Sequence, residues 1–298
     1  MPYYYGYNWW IGQTGSDYFG ILGGTASSGN DTFQLGGYLG EGGINNDWDY
    51  FDGGSGTDRI YVGSISGYAW TAIMVADGGF KSVVTIDGSS TYQPIYAQGD
   101  ADFSSITTMS SGVKFFGRGN DNTITTTGLD DYIEGDGGDD IIYAGTGDDE
   151  IWGDNNSIQT TNLWIDDVNA AGDDILFGQA GNDTIYGGDG NDQLYGGADV
   201  DELFGGDGDD VLSAGAGWDD ELTGGAGTDY FLIEEGEGLN TVKDFDNGTD
   251  YIVAGSSIDA ITIYSYIGGD ALLLMDDTYV HLEGVAAGLI DGADFLYA

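Results

Sequence analysis

The run Gly181-Asn182-Asp183-Thr184-Ile185-Tyr186-Gly187-Gly188-Asp189 leads directly into Gly190-Asn191-Asp192-Gln193-Leu194-Tyr195-Gly196-Gly197-Ala198, which is the same nine-residue phrase again. The phrase extends both ways. Its apolar position recurs at Leu176, Ile185, Leu194, Leu203 and Leu212, and an aspartate stands two places before each, at Asp174, Asp183, Asp192, Asp201 and Asp210. After one extra residue come two more turns, with Asp220 ahead of Leu222 and Asp229 ahead of Phe231. An earlier block places Ile124, Ile133, Ile142 and Ile151 nine apart, with Asn122, Asp131, Asp140 and Asp149 in the acidic slot. A fixed period of this kind marks a structure built from stacked copies of one small unit.

The composition of the phrase has a chemical meaning. Glycines such as Gly145, Gly147, Gly181, Gly188, Gly190, Gly197, Gly206 and Gly208 permit a tight turn through backbone angles that a Cβ forbids, and leave carbonyl oxygens free to face a cation. The aspartate adds a hard anionic oxygen, and Ca²⁺ takes about six to eight such ligands. The three residues after it form a short strand whose middle side chain points inward, because strand side chains alternate faces. One turn cannot complete a coordination shell, so ions must be shared between stacked turns. A disordered acidic segment would not keep a regular apolar period.

These residues resemble the RTX family of calcium-binding β-roll proteins, well over Gly117 to Ala298 and only in fragments before that. The resemblance implies an all-β fold, a parallel β-roll or β-solenoid with two nonapeptides per coil and several Ca²⁺ ions between neighbouring turns. It implies as ligands Asp131, Asp140, Asp149, Asp174, Asp183, Asp192, Asp201, Asp210, Asp220 and Asp229, with backbone oxygens of the glycine-rich turns. Three positions depart from the family pattern: Asn122 replaces aspartate, and Leu129 and Asp199 stand where glycine is usual. Beyond Phe231, Thr241–Phe245, Asp250–Ile252, Ser256–Asp259 and His281–Val285 resemble the cap that follows such rolls. The last residues, Asp291 to Ala298, are similar to the family's uncleaved C-terminal signal for type I secretion.

The charge fits this reading. Fifty-two acidic residues against five basic ones leave a net charge of −47 over 298 residues. Such self-repulsion opposes compaction, and the chain has almost nothing with which to pair phosphate or uronate, so nucleic acid and polyanionic polymers are excluded as direct partners. About five to ten bound ions would neutralise roughly 10 to 20 charges where they are densest. Inside a cell, where calcium is scarce, the chain stays open enough for export; outside, metal that binds only the folded state folds it. There are no cysteines, and 56 glycines against two prolines suit repeated turns. No apolar run is long enough to span a bilayer, and the aromatic start Met1 to Trp10 lacks the basic region and apolar core of a signal peptide. A secreted, cell-surface location is therefore expected through the C-terminal route.

Four regions follow. Residues 1–64 are glycine- and aromatic-rich, with degenerate copies of the repeat. The complete one, Gly53-Gly54-Ser55-Gly56-Thr57-Asp58-Arg59-Ile60-Tyr61, makes Asp58 a further metal ligand. Tyr3, Tyr4, Tyr5, Tyr7, Trp9 and Trp10 suit either the covering of a solenoid end or an interface. Residues 65–116 carry strand-like runs without the nonapeptide, either a continuation of the solenoid or a small inserted sandwich. Residues 117–233 are the roll, interrupted by a loop insertion at 153–171, and 234–298 are the cap and secretion signal.

Catalysis lacks parts. The only histidine, His281, alternates with apolar residues in an expected strand, which suits a structural role, and zinc would need several histidines or cysteines. Two carboxylates suffice for a glycosidase, yet calcium turns account for nearly all the acids. A polyuronate lyase or epimerase would need basic residues near substrate, and only Arg59, Lys81, Lys114, Arg118 and Lys243 exist. The expectation is a non-enzyme. Two readings stay open: a homo-oligomeric or polymeric structural protein of a surface layer, sheath or filament, and a calcium-dependent adhesin or lectin holding neutral cell-surface glycan. The second would use the N-terminal aromatics or the Asn155–Asp167 loop.

Overall fold

The computed structural model describes residues 100–298 apart from 155–170 and short stretches including 118–120, 235–237 and 256–260; before residue 100 it describes chiefly the backbone of individual strands. Each nonapeptide becomes one strand and one turn, and successive strands alternate between two parallel sheets. A 15-stranded sheet takes Val113–Phe116, Tyr132–Glu134, Glu150–Trp152, Thr184–Asp189, Glu202–Asp207, Asp220–Ala226 and Leu239–Val242 in spatial order. A 9-stranded sheet takes Thr123–Thr125, Ile141–Thr146, Ile175–Ala180, Gln193–Ala198, Val211–Ala216, Tyr230–Ile233, Tyr251–Ala254 and Phe295–Tyr297. Two nonapeptides therefore make one coil of an all-β parallel solenoid.

The apolar period becomes the core. In the longer sheet Ile133, Ile151, Ile185, Leu203, Leu222 and Val242 are direct partners in register, and in the shorter one so are Ile124, Ile142, Leu176, Leu194, Leu212, Phe231 and Ile252. All of them are fully buried. Their neighbours on either side point out, as the alternation of strand side chains requires. The core is a single seam of side chains between two sheets, and every coil rests on the coils beside it.

Parallel partners need a long crossover. Here it is a strand of the other sheet with a corner at each end, as Thr184–Asp189 lies between Ile175–Ala180 and Gln193–Ala198. Each corner takes only a few residues because glycine adopts left-handed backbone angles there, as at Gly190 (φ 147°) and Gly208 (φ 148°). A methyl group at Gly190 would collide with the carbonyl of Gly172 in the neighbouring coil. Among the described residues, four that bear side chains are also held at positive φ: Asp136, Gln179, Asp199 and Asp219, between 71° and 85°.

The insertion enters the turn without disturbing the stack. Equivalent turn residues are 18 apart in most coils and 34 apart across the interruption, as for Asp131–Asp149 and Asp140–Asp174. Gly153 and Asp154 donate main-chain bonds to Tyr186 and Gly187, and the coil resumes at Ala171, so the excursion is narrower than the expected 153–171. Residues 155–170 lie outside the described residues.

Upstream, Ile73–Lys81 and Gln93–Ala97 are parallel neighbours in the longer sheet, joined through Gln93–Ala97 to Val113–Phe116, so strands from within 65–116 belong to that sheet. A third, 5-stranded sheet contains Asp58–Val62 and Val83–Gly88. Downstream, Leu239–Val242 ends before the expected Phe245 and pairs with Thr278–Ala286. Asp270–Met275 and Ile261–Ser265 then add in antiparallel fashion, and the expected strand at Ser256–Asp259 falls among residues not described. Among the described residues no helix is long and apolar enough to cross a membrane.

Relief of backbone strain should be measurable. Gln179→Gly is expected to raise calcium-saturated stability by about 1 kcal/mol, and Gly190→Ala to lower it by several; urea unfolding checks both, and a neutral Gly190→Ala would contradict the coil geometry.

Candidate metal centre

The aspartates two places before the apolar seam form two ladders, one along each edge of the roll. On one edge, Asp140 Oδ1 accepts the N–H of Asn122 at 2.8 Å, Asp174 that of Asp140 at 2.7 Å, Asp192 that of Asp174 at 2.8 Å and Asp210 that of Asp192 at 2.8 Å; Asp229 continues the series at 3.1 Å. On the other, Asp149, Asp183, Asp201 and Asp220 accept from Asp131, Asp149, Asp183 and Asp201 at 2.8–2.9 Å. Each carboxylate thus satisfies a main-chain donor of the preceding coil that the turn would otherwise leave unpaired.

The second oxygen of each has no such use. Oδ2 of Asp140, Asp149, Asp174, Asp183, Asp192, Asp201, Asp210, Asp220 and Asp229 is buried without a hydrogen-bond partner, in residues at most 2% exposed. An unpaired buried carboxylate oxygen costs several kcal/mol. Nine of them in register need a cation.

The surroundings fit a hard one. A methyl on Gly153 would fall against Asp174 Oδ2 and 2.5 Å from the Gly187 carbonyl oxygen; on Gly187, against Asp192 Oδ2 and 2.5 Å from Gly205 O; on Gly205, against Asp210 Oδ2 and 2.5 Å from Gly224 O. A carboxylate oxygen and a carbonyl oxygen from the next coil therefore converge on a space that any Cβ would fill. Such all-oxygen donors suit Ca²⁺ rather than softer ions. Among the described residues no three acidic or histidine side chains converge, so carboxylates here act with main-chain carbonyls.

The expected ligands divide accordingly. Gly145, Gly147, Gly181, Gly188, Gly190, Gly197, Gly206 and Gly208 all take positive φ and shape the turns. The cradle itself belongs to the first glycine of each nonapeptide (Gly135, Gly153, Gly178, Gly187, Gly196, Gly205 and Gly224), which the sequence reading did not select. These glycines lack the left-handed angle that draws attention to a turn; their signal is recurrence alone, interrupted by buried Ala144 and Ala214. Asp131 differs from the rest, since its Oδ2 is occupied by the N–H and hydroxyl of Thr127 at 2.9 and 2.8 Å and only Oδ1 is unpartnered. Asp250, also not selected, extends one ladder by accepting the Asp229 N–H at 3.1 Å, but its Oδ2 is taken by the Asp246 N–H. Asp58 opens a strand in the 5-stranded sheet, and its side chain is outside the described residues.

An outer ladder runs in the opposite sense one residue earlier. Asp139 Oδ1 accepts the Asp173 N–H, Asp173 that of Asn191 and Asn191 that of Asp209, at 2.8–3.1 Å in exposed positions. Asparagine serves there as well as aspartate, so that ladder needs an acceptor and no charge.

Burial raises the inner carboxyls, and neighbouring acids raise them further: Asp140, helped by Asp174, to about 9, Asp149 and Asp174 to about 8, and Asp192, Asp201 and Asp210 to about 7. Asp183, Asp220 and Asp229 rise to about 6, again chiefly through burial. The metal-free coil holds protons that the unfolded chain releases.

Comparison with known proteins agrees with this geometry. The family model described as the RTX calcium-binding nonapeptide repeat matches in four copies over residues 125–157, 169–203 and 195–231. These stretches are RTX calcium-binding nonapeptide repeats. No curated protein matches the chain. Among solved structures, extracellular lipase LipA from Serratia marcescens aligns with 81% of this chain and 45% of its own, at 17% identity and a TM-score of 0.26. The chain thus spans less than half of that lipase, and so low a TM-score says nothing about activity.

A pH dependence follows from the RTX ladder. Carboxyls whose folded pKa is raised stabilise the fold fully below the unfolded value near 4 and lose that contribution as pH rises through the folded values. In chelator, thermal stability should therefore fall steadily between about pH 4 and pH 9. Saturating calcium displaces those protons and should flatten or reverse the trend; parallel trends with and without calcium would contradict the ladder as the metal centre.

Proposed function

We propose that this RTX protein is exported, folds on calcium outside the cell, and self-associates through the outer face of its 9-stranded sheet into a layer, sheath or filament. The observation that carries the reading is the long uncharged run on that face, from Thr123–Thr125 to Tyr251–Ala254. One outward row runs Thr125, Tyr143, Phe177, Tyr195, Ser213, Leu232, Val253, and the other Thr123, Ile141, Ile175, Gln193, Val211, Tyr230, Tyr251. From Thr123–Thr125 to Tyr251–Ala254 neither row holds an acid or a base, in a chain whose net charge is −47; Asp102, in register with Thr125 on the sheet's first strand, is the exception at its end. Copies so strongly anionic repel everywhere else, and an apolar uncharged face favours contact. The 15-stranded sheet differs: Glu150, Glu202 and Glu221 line up beside its aromatic row.

Ring geometry favours a protein partner over glycan. Tyr143, Phe177 and Tyr195 stack face to face, with centroids 5.0 and 4.8 Å apart and planes within 10°. Their faces cover one another, so the ladder offers solvent mainly ring edges, whereas a sugar ring stacks on an open face. A catalytic role lacks support of this kind. His281 faces Asp270 at 3.4 Å and the Tyr266 ring at 5.0 Å, a pairing that holds two strands of the antiparallel addition together.

Sedimentation velocity with circular dichroism across a calcium titration tests the proposal. β-structure and large species should appear together, and a Phe177→Glu, Tyr195→Glu double variant should fold at the same calcium concentration yet remain monomeric. A folded, monomeric wild type would overturn self-association and make retention on neutral polysaccharide the next test.

A further inference from the structure

One unpartnered carboxylate oxygen does not belong to the nine-residue period. Asp154 Oδ1 is buried without a hydrogen-bond partner, like the ladder oxygens, although Asp154 occupies the second position of its nonapeptide, where glycine is usual. On this edge of the roll, Gly206 packs against the Gly188 carbonyl and Gly225 against the Gly206 carbonyl. At Gly188 the nearest atoms are of a different kind. The Asp154 side chain stands there instead, with Cβ and Oδ2 each 2.6 Å from where a Gly188 methyl would lie.

The chain leaves the coil after Asp154 and returns at Ala171, and the strand Glu150–Trp152, like Tyr132–Glu134 in the coil before it, has three residues against six in the strands stacked beyond it. The Asp154 carboxylate takes over the missing main chain: Oδ2 accepts the Asp189 N–H at 2.7 Å, and the Gly172 N–H also points at the group. A carboxylate that replaces a carbonyl brings a second oxygen and a negative charge. Its N–H is fixed to Gly187 O, the carbonyl that converges with Asp174 Oδ2 in the cradle of this turn. Asp174 and Asp192, the ladder members on either side of this cradle, are each 1% exposed with Oδ2 unpartnered.

We propose that Asp154 Oδ1 is an additional, off-repeat ligand for the cation held between the Asp174 and Asp192 turns. Affinity in oxygen-ligated calcium sites rises with the number of charged ligands, so this becomes the tightest site of the roll, at the root of the insertion. With no three acids converging, Asp154 adds one charged oxygen to a set completed by carbonyls. The inference rests on calcium binding by the repeats and is independent of self-association.

Calcium titration of the full chain against a chelator of known affinity tests it, comparing wild type with Asp154→Asn, Asp154→Glu and Asp207→Asn. Asp207 is an exposed acid on the same edge and controls for general charge loss. Asp154→Asn keeps an acceptor for Asp189 and should weaken the tightest step by about tenfold or more while the later steps stay in place. Asp154→Glu should recover part of that loss, and Asp207→Asn should leave the step unchanged. A titration of Asp154→Asn that superimposes on wild type, or an equal loss in Asp207→Asn, overturns the proposal. If Asp154→Asn does not fold at saturating calcium, an Asp154→Glu variant whose tightest step equals that of wild type overturns it too. Should wild type take up no calcium, the reading of the repeats fails, and this one with it.

Discussion

A carboxylate oxygen buried without a donor is the constraint on which this molecule turns. Each inner aspartate gives one oxygen to the backbone of the preceding coil, and that bond pulls the other oxygen inside with it. The coil cannot close without creating the cost, and cannot relieve it from within, because the space around the free oxygen is lined by glycine Cα atoms and carbonyls that carry no proton to donate. Protons or calcium must come from outside. Folding and cation uptake are therefore one event, and the net charge of −47 ceases to be an obstacle once the ladder is loaded.

One ladder is closed at its end by local chemistry. At Asp250 both oxygens are taken, by the N–H groups of Asp229 and Asp246, whereas Asp131, which starts the other ladder, keeps one oxygen buried without a partner beside its bonds from Thr127, so demand for metal lies in the coils before Asp250. Those coils also carry the apolar seam and the uncharged outer face. A cation that fixes the turns fixes the register of both sheets, and with it the alignment of Tyr143, Phe177 and Tyr195 on the surface. Surface and metal centre are thus coupled through backbone geometry, with no separate switch.

Much of this was legible in the sequence because the period serves two purposes at once. The same nine-residue spacing that puts Leu194 in the core puts Asp192 in the ladder, so one pattern located the seam and the acidic slot. What was not legible depends on three-dimensional neighbours. Gly187 and Gly205 look like ordinary strand ends, and only stacking shows that their missing side chains make the cradle. Asp154 sits outside the period and reads as the start of a loop, until its carboxylate is seen in the place of a carbonyl. Asp250 follows a shift of spacing that hides its place in the ladder. The length of the excursion could be bounded from sequence, but its exit point inside a turn could not.

The most direct test of the central claim is amide hydrogen exchange of the full chain near pH 7.5, with calcium and with chelator. The N–H groups of Asp174, Asp183, Asp192 and Asp201 report the ladder bonds themselves. The account predicts strong protection of these amides and of the seam strands in calcium, and its loss across the whole roll in chelator. Full protection without calcium would show that the buried oxygens are tolerated unpaired, and would contradict it.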